Sequence, residues 1–415
     1  GSFGAIMPSY NLVNGRPAHL CGDLISQLRD TSPHELLFVS DAGAPTNVLN
    51  PERYWETPAQ SAAALVRAGV DSFTDHDADT SPTMEKLRAA LAEGLLTEDD
   101  IDQAAFRLLL TRARTGEFGP ESDPYADVTA ADINLPAHQE LAREAAAKSL
   151  VALRNDDDLL PLDPAAKVAV VGPFATDVLR DWYSGDFPYK SDLAAALQDR
   201  SEAEVLVATG TDRVALRSTR TGAYLRVTAD EFLTADALKQ GPDTEFDLQD
   251  WGYEVFSLRA VASGKFVTGG GYAVRVNNER IGGWWAMEGW RLQHYGDGTV
   301  TLVHNITNRW LRTMHHNNVA ITEPVLENQA ERFELVVVRD GLAEARAAAA
   351  AADVVLVTGG NDPHIGGRET EDRPTVALPE WVQRLWAAAS GENNNAALLL
   401  LSSYPYALGT AGEAK

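Results

Sequence analysis

The chain has 415 residues, of which 45% are hydrophobic and 23% charged, a composition typical of a globular protein with two to four domains. Its formal net charge of −25 argues against nucleic acid as a partner, because phosphates are bound by cationic surfaces. No apolar run approaches the roughly 20 residues that cross a bilayer, so we expect no membrane partner. The single cysteine, Cys21, excludes an intrachain disulfide and a thiolate metal cluster. A neutral ligand such as a sugar suits this acidic protein.

Short apolar strands alternate with helical stretches over residues 1–125. The predicted strands are 5–7, 35–40 and 69–73, and the predicted helices are 61–68 and two within 83–117. Thr97 followed by Asp100 is typical of a helix start, with Thr97 as the cap. Alternation of this kind predicts a parallel sheet wrapped by helices, and such folds keep their chemistry just past the strand ends.

A second α/β pattern comes next and is interrupted. A linker and a helix at 138–151 precede a buried strand at 167–173, and the pattern resumes with strands at 353–357 and 398–402. We therefore predict an α/β multidomain chain. Its parts are residues 1–125, a linker with a helix at 126–160, the first part of an α/β sandwich at 161–205, an insert at 206–338, and the second part of the sandwich at 339–415.

The insert carries an internal repeat. Leucines spaced by 42 and 44 residues are each followed eight positions later by an aromatic residue. The pairs are Leu216 and Tyr224, Leu258 and Phe266, and Leu302 and Trp310. Three copies of about 40 residues predict a threefold all-β module of the β-trefoil type, in which each copy buries its aromatic residue against the others.

Acidic residues past two of the strands are the catalytic candidates. Asp41 ends the strand in Phe-Val-Ser-Asp-Ala-Gly-Ala, and the loop 359–373 holds four carboxylates. They are Asp362, Glu369, Glu371 and Asp372. A helix cap explains an isolated Asp41 and a solvated surface explains an acidic loop, so neither segment alone identifies a site.

Together the two segments resemble glycoside hydrolase family 3. Residues 38–44 are similar to the nucleophile strand of that family, and the Met-Pro-Ser-Tyr-Asn sequence at 7–11 is similar to the preceding strand. The later loop resembles the family's acid/base loop, in which a glutamate stands three residues before an Asp-Arg pair. Here Asp372-Arg373 is that pair, which selects Glu369 and leaves Glu371 as the alternative. The resemblance covers residues 1–205 and 339–408.

The resemblance implies that residues 1–125 are the C-terminal part of a (β/α)8 barrel, and that the protein is a retaining exo-β-glycosidase of the β-xylosidase or β-glucosidase branch. Asp41 would be the nucleophile and Glu369 the general acid/base, about 5–5.5 Å apart at a domain interface, with no cofactor and no metal. Tyr10, Trp182 and Tyr183 are candidate sugar-binding residues, since aromatic faces suit pyranose rings. Packing is the alternative for each, in the core for Tyr10 and beneath the loop for Trp182 and Tyr183.

Three departures from the family accompany the resemblance. Ala42 stands where the family commonly has a tryptophan, and the upstream part of the barrel has no counterpart here. The sequence also stops soon after Tyr406, before we expect the second domain to be complete. Three strands cannot close an eight-stranded barrel, so we expect the missing strands to be lost, absent from this sequence or supplied by a second chain, and a lone chain to be poorly active.

A second hypothesis makes the protein a non-catalytic carbohydrate-binding or scaffolding module that acts through the insert. The insert holds one Gln-x-Trp motif, Gln249-Asp250-Trp251, whereas sugar-binding trefoils usually repeat it, so a structural or substrate-framing role is favoured. Two further predictions concern loops: 75–79 is a polar loop rather than a metal site, and Arg373 pairs with a nearby carboxylate.

Overall fold

The computed structural model describes residues 3–119, 123, 125–181, 183–322, 331–369, 371–402 and 404–413. The chain divides into two compact units, Gly1–Gln139 and Glu140–Lys415. In the described part, none of the helices combines the length and the apolar character that spanning a membrane requires.

The first unit is built from short strands and longer helices. Its elements are β1 (Ala5–Ile6), β2 (Leu12–Val13), β3 (Arg16–Pro17), α1 (Gly22–Thr31), β4 (Leu37–Phe38), α2 (Ala44–Asn47), α3 (Pro58–Ala68), α4 (Ser81–Ala92) and α5 (Glu98–Arg114). Strands β1 and β4 are parallel, and a parallel bridge from Val39 to Ser72 adds a third segment beside β4. The predicted strand at 69–73 is therefore a single bridge. The helix α6 (Pro136–Ser149) contains the division between the units.

Local capping explains where two of these helices begin. The Thr57 side chain accepts a hydrogen bond from the backbone N–H of Gln60, and the Gln60 side chain accepts one from the backbone N–H of Thr57. Thr97 and Asp100 form the same pair of hydrogen bonds, and Thr97 is the helix cap that the sequence predicted. Buried aliphatic and aromatic residues from the strands and helices of the first unit form a hydrophobic core. It consists of Ile25, Leu36, Phe38, Val48, Leu65 and Val70.

The second unit contains a four-stranded parallel sheet. Its elements, numbered in chain order, are β5 (Val168–Val171), α7 (Leu193–Gln198), β6 (Leu206–Ala208), α8 (Gly341–Ala350), β19 (Val354–Gly360), α9 (Glu380–Ser390) and β20 (Ala396–Leu401). The strand order is β20-β19-β5-β6. Leu206–Ala208 falls within the predicted insert range, but it is a strand of the parallel sheet. It pairs with β5, and Leu206 lies opposite Ala169.

Both faces of this sheet are covered, which explains why β5 is apolar throughout. Ala169 and Val171 point into a core formed with α8 and α9, whereas Val168 and Val170 lie in a second core that includes residues near α7. A parallel sheet buried on both faces produces continuous apolar strands of this kind.

The insert, in the residues that the structure describes, consists of twelve antiparallel strands. They are β7 (Asp212–Ser218), β8 (Tyr224–Val227), β9 (Leu233–Ala237), β10 (Phe246–Asp250), β11 (Phe256–Ala260), β12 (Phe266–Thr268), β13 (Arg275–Asn278), β14 (Trp290–His294), β15 (Thr299–His304), β16 (Trp310–Thr313), β17 (Val319–Thr322) and β18 (Phe333–Arg339). Six of them close a ring in the order β7-β10-β11-β14-β15-β18 and back to β7. Three hairpins, β8-β9, β12-β13 and β16-β17, extend from this ring.

The repeat seen in the sequence coincides with this threefold arrangement. The repeat leucines Leu216, Leu258 and Leu302 are all buried inside the ring, in β7, β11 and β15. The residue after each leucine pairs with the repeat aromatic on the next strand, as Arg217 does with Tyr224.

The prediction that each copy buries its aromatic residue was wrong. Tyr224, Phe266 and Trp310 are only partly buried, and the fully enclosed residue of each copy is the next one along the strand. Those residues are Leu225, Val267 and Leu311. Because side chains alternate across a strand, an arginine packs over the outward-facing ring in two of the copies, with guanidinium-to-centroid distances of 5.9 Å and 5.6 Å.

The insert shares one hydrophobic core with the parallel sheet. Trp251, the tryptophan of the single Gln-x-Trp motif, is buried there with its ring centroid 6.2 Å from that of Phe174. Phe174 in turn lies 6.3 Å from Trp381 of α9. The indole N–H of Trp251 donates to the Ser257 hydroxyl at 2.9 Å, so the polar atom of the buried ring is paired. The motif therefore docks the insert and does not present a sugar-binding face.

We expect Trp251→Ala to lower the free energy of unfolding by about 3–5 kcal/mol, because it removes a large buried side chain from the core that joins the insert to the sheet. Urea unfolding followed by circular dichroism measures this change. Leu238→Ala is the matched control, since Leu238 is 86% exposed on the same insert and its removal should change stability by less than about 0.5 kcal/mol. A loss below about 1 kcal/mol for Trp251→Ala would contradict the shared core.

Candidate active site

Three loops meet at one edge of the parallel sheet in the second unit. They follow β5, β19 and β20, which are adjacent strands pointing the same way, so their carboxyl ends lie side by side. The loop after β19 carries Glu369, the segment after β5 carries Tyr183, and the segment after β20 carries Tyr404 and Tyr406. This edge is where parallel α/β sheets bind their ligands.

Glu369 and Tyr183, predicted separately as acid/base and sugar-binding residues, are in direct contact. The Tyr183 hydroxyl donates to the Glu369 carboxylate at 2.6 Å, and both side chains are exposed. Asp181 fixes the turn that presents Tyr183, accepting from the backbone N–H groups of Tyr183 at 3.0 Å and Ser184 at 2.8 Å. Hydrogen bonds from Ser184 hold the pKa of Asp181 below its ordinary value, so the turn is held by a charged acceptor.

Buried polar residues hold the first half of the β19 loop. Asp362 accepts from the backbone N–H of His364 at 2.8 Å, and its carboxylate lies 3.1 Å from Nδ1 of the same histidine. Asn361 accepts from the Ser402 hydroxyl at 3.1 Å and from the Tyr406 hydroxyl at 2.9 Å. The loop that carries Glu369 is thereby tied to the segment after β20.

Arg373 holds the second half of the loop, although not as predicted. Its guanidinium donates to the Pro405 carbonyl at 3.1 Å and lies 4.7 Å from the ring centroids of both Tyr404 and Tyr406. Within the described ranges, a carbonyl and two rings take the place of the expected carboxylate partner, because the segment after β20 lies against this part of the loop. The Tyr404 hydroxyl also donates to the carbonyl of Gly367.

Arg368, the residue before Glu369, joins the loop to the insert. It is buried, with its guanidinium 5.5 Å from the ring centroid of Trp285 and 3.4 Å from the carbonyl oxygen of Trp284. Its other terminal nitrogen forms an ion pair with Glu371 at 2.9 Å. Glu371, the alternative acid/base, thus forms an ion pair with an arginine, whereas the Glu369 carboxylate accepts a hydrogen bond from a neutral hydroxyl.

In the first unit, Asp41 stands directly after the strand pair. Its backbone N–H donates to Nε2 of His19 at 3.1 Å, and its carboxylate accepts from the Ala42 N–H at 2.7 Å. Ser40, the residue before it, is buried and accepts from the Thr74 N–H at 2.7 Å. The backbone around Asp41 is therefore fixed from two sides.

His19 was not singled out from the sequence, because no motif marks it. It is buried, and burial lowers the pKa of its imidazole, with the nearby Asp41 charge acting in the opposite direction. The neutral ring uses Nε2 as an acceptor for the Asp41 N–H, so the proton of the neutral form is on Nδ1.

The remaining sequence candidates have local roles or fall outside the described part. Tyr10 is partly exposed, and its hydroxyl donates to the Ala42 carbonyl beside Asp41. Trp182 lies outside the described residues. In the polar loop at 75–79, Asp75 pairs with Lys86 at 2.9 Å. Within the described ranges, no group of three or more His, Cys, Asp or Glu side chains is arranged to hold a metal ion.

Comparison with known proteins gives a family match over most of the chain. Residues 150–415 match the model of the glycosyl hydrolase family 3 C-terminal domain. β-D-Xylosidase 1 of Arabidopsis thaliana is 36% identical over 179 residues, which is 42% of this chain and 22% of the relative. A probable exo-1,4-β-xylosidase of Aspergillus terreus is 34% identical over 227 residues, 53% of this chain and 27% of the relative. The matches thus span about a quarter of these relatives.

Solved structures share the fold at lower identity. The β-glucosidase of Listeria innocua in complex with isofagomine superposes with a TM-score of 0.60 at 20% identity, covering 98% of this chain and 40% of that one. A family 3 exo-β-xylosidase in complex with a xylobiose aziridine probe gives a TM-score of 0.58 at 21% identity, covering 96% and 36%.

The burial of His19 predicts a pH dependence. A histidine whose pKa is lowered on folding stabilises the fold fully above its ordinary pKa of 6.5 and loses that contribution as the pH falls towards the folded value. We expect the free energy of unfolding of His19→Gln to fall less steeply than that of the wild type between about pH 7 and pH 5.

Thermal unfolding followed at several pH values measures these slopes. His34→Gln is the control, because His34 is exposed in the same unit. Equal slopes for His19→Gln and the wild type would show that the imidazole does not act as the buried acceptor.

Proposed function

Since the chain belongs to glycosyl hydrolase family 3, we propose that it acts as a retaining exo-β-glycosidase on terminal, non-reducing β-D-xylosyl or β-D-glucosyl residues. The observation that carries the proposal is the exposed Glu369 carboxylate, which lies past the end of β19 with the Tyr183 hydroxyl bound to it at 2.6 Å. The relatives named as β-xylosidases and β-glucosidases support the two sugars.

The proposal includes a finer interpretation of the fold. The parallel strands of the first unit are assigned to the C-terminal part of a (β/α)8 barrel, and the parallel sheet of the second unit to the family's α/β sandwich. The closed ring of six strands with three hairpins supports a β-trefoil for the insert.

Asp41 is proposed as the nucleophile. A carboxylate oxygen of Asp41 attacks the anomeric carbon of the terminal sugar, the bond from that carbon to the aglycone oxygen breaks, and a glycosyl ester forms. The fixed backbone on both sides of Asp41 supports this role, because an attacking oxygen must be held close to the reacting carbon. Tyr10, which binds the neighbouring Ala42 carbonyl, is proposed to border the same sugar.

Glu369 is proposed as the acid and then the base. Its proton passes to the departing aglycone oxygen, and the resulting carboxylate takes a proton from the water that hydrolyses the ester. Tyr183 orients the Glu369 side chain, and the exposed position of both residues leaves the aglycone free to depart.

A non-catalytic role for the insert is the weaker candidate. The tryptophan of its only Gln-x-Trp motif is buried in the docking core and is therefore unavailable to a glycan.

We expect Asp41→Asn to lower kcat for nitrophenyl β-xyloside or β-glucoside by at least about 1,000-fold, because the ester can no longer form. A 2-deoxy-2-fluoro glycoside should label the peptide that contains Asp41, as located by mass spectrometry. The released sugar should first appear as the β anomer in proton NMR. A label on another carboxylate, or first release of the α anomer, would overturn the assignment.

Glu369→Ala should lose activity mainly on substrates with poor leaving groups and should recover turnover with azide, which replaces the water that needs a base. Glu371→Ala is the matched control from the same loop and should show neither effect. Azide rescue of the Glu371 variant alone would move the acid/base role to that residue.

We expect Tyr183→Phe to reduce kcat/KM about 10-fold for alkyl glycosides and less for dinitrophenyl glycosides, because the lost hydrogen bond orients a proton donor that only poor leaving groups require. Initial rates over a series of leaving groups measure the difference. Tyr189→Phe, an exposed tyrosine of the same segment, serves as the control. An equal loss on all substrates would instead indicate a general structural role for Tyr183.

A further inference from the structure

One loop of the insert contacts both segments that flank Glu369. This loop, residues 279–289, connects β13 to β14 and is termed the insert loop. Through the Trp284 carbonyl and the Trp285 ring it contacts Arg368, the residue adjacent to Glu369. Through Arg280, whose guanidinium donates to the Arg180 carbonyl at 3.4 Å, it contacts the segment that leads to Tyr183.

The insert loop is anchored at both ends. Ile281 and Ala286 are buried in the core shared with the parallel sheet. Glu288, 1% exposed, accepts from the side-chain amide of Asn278 and from the backbone N–H of Gly282 at 3.3 Å, which ties the loop to the end of β13. The residues between these anchors are thus attached on both sides to the body of the second unit.

Two large aromatic residues occupy the tip of this anchored loop. Trp284 and Trp285 are 44% and 49% exposed, although the residues that anchor the loop on either side of them are buried. Neighbouring exposed apolar side chains mark candidate binding surfaces, and the faces of aromatic rings suit the apolar faces of sugar and aryl rings. The Trp285 ring contacts Arg368, which is one residue from the proposed proton donor Glu369.

The charge of this surface indicates which ligand it would take. Arg368 beneath Trp285 is paired with Glu371, so its charge is balanced within the loop. The chain as a whole carries a formal net charge of −25, which disfavours an anionic ligand. A neutral ring therefore fits this surface better than an anion does.

We propose that Trp284 and Trp285 form an aglycone-binding platform, so that the insert supplies the subsite for the neutral sugar or aryl ring that leaves. This inference rests on the proposed function, since it takes Glu369 as the group that protonates the leaving oxygen. The insert loop then selects substrates by the group attached to the terminal sugar, and the terminal sugar itself is bound elsewhere.

The test is equilibrium binding to ligands with and without the second ring. Isothermal titration with S-linked xylobiose or S-linked cellobiose, which resist hydrolysis, is compared with titration by xylose or glucose. Trp284→Ala and Trp285→Ala should each weaken disaccharide binding about five- to tenfold and leave monosaccharide binding unchanged. Trp284→Ala is the cleaner variant, because alanine keeps the carbonyl that binds Arg368. Tyr272→Ala, at a residue 62% exposed elsewhere on the insert, is the control and should change neither affinity.

Three results would overturn the platform. They are unchanged disaccharide affinity in both tryptophan variants, an equal loss for disaccharide and monosaccharide, and absence of disaccharide binding by the wild type. The proposed function fails on a different measurement, because it requires Asp41→Asn to abolish turnover and to leave binding intact. Disaccharide binding that depends on the tryptophans, together with turnover that does not depend on Asp41, would support the platform and reject Asp41 as the nucleophile.

Discussion

The parallel pairing of β5, β19 and β20 is the constraint on which the candidate site depends. Because the three strands run in one direction, the segments after them leave the sheet at one edge, and distant parts of the sequence become neighbours there. Tyr183 and Glu369 are 186 positions apart in the chain, yet they share a hydrogen bond. The contacts of the buried Asn361, together with those of Arg373 to two tyrosine rings, hold the acidic loop against its neighbours.

The insert depends on a different interaction, the closure of its own strand ring. Each copy of the repeat supplies one leucine to a common core, so no copy can bury its apolar face alone. The closed ring then packs on the sheet through Trp251 and Phe174, and this docking carries one loop to the residue beside Glu369. The insert is therefore part of the surroundings of the acidic loop.

Several features were predictable from the sequence because they rest on local physics. The Thr97 cap, the buried strand at 168–171 and the threefold spacing of leucines all reflect backbone hydrogen bonding or side-chain periodicity within a short stretch. Asn393 shows the limit of such reasoning. It looks out of place before a buried strand, but its side-chain amide donates to two carbonyls at the end of α8, Ala349 and Ala352, which are more than 40 positions away.

The sequence by itself determined the alternation of helices and strands, the threefold insert, and Asp41 and Glu369 as catalytic candidates through their motifs. Only the tertiary structure decided that Trp251 is a docking residue, that Arg373 lies against tyrosine rings, and that His19 supports Asp41. The physical reason is the range of the interactions: capping and periodicity act over a few residues. Burial and side-chain pairing depend on which distant segments the closed ring and the parallel sheet bring together.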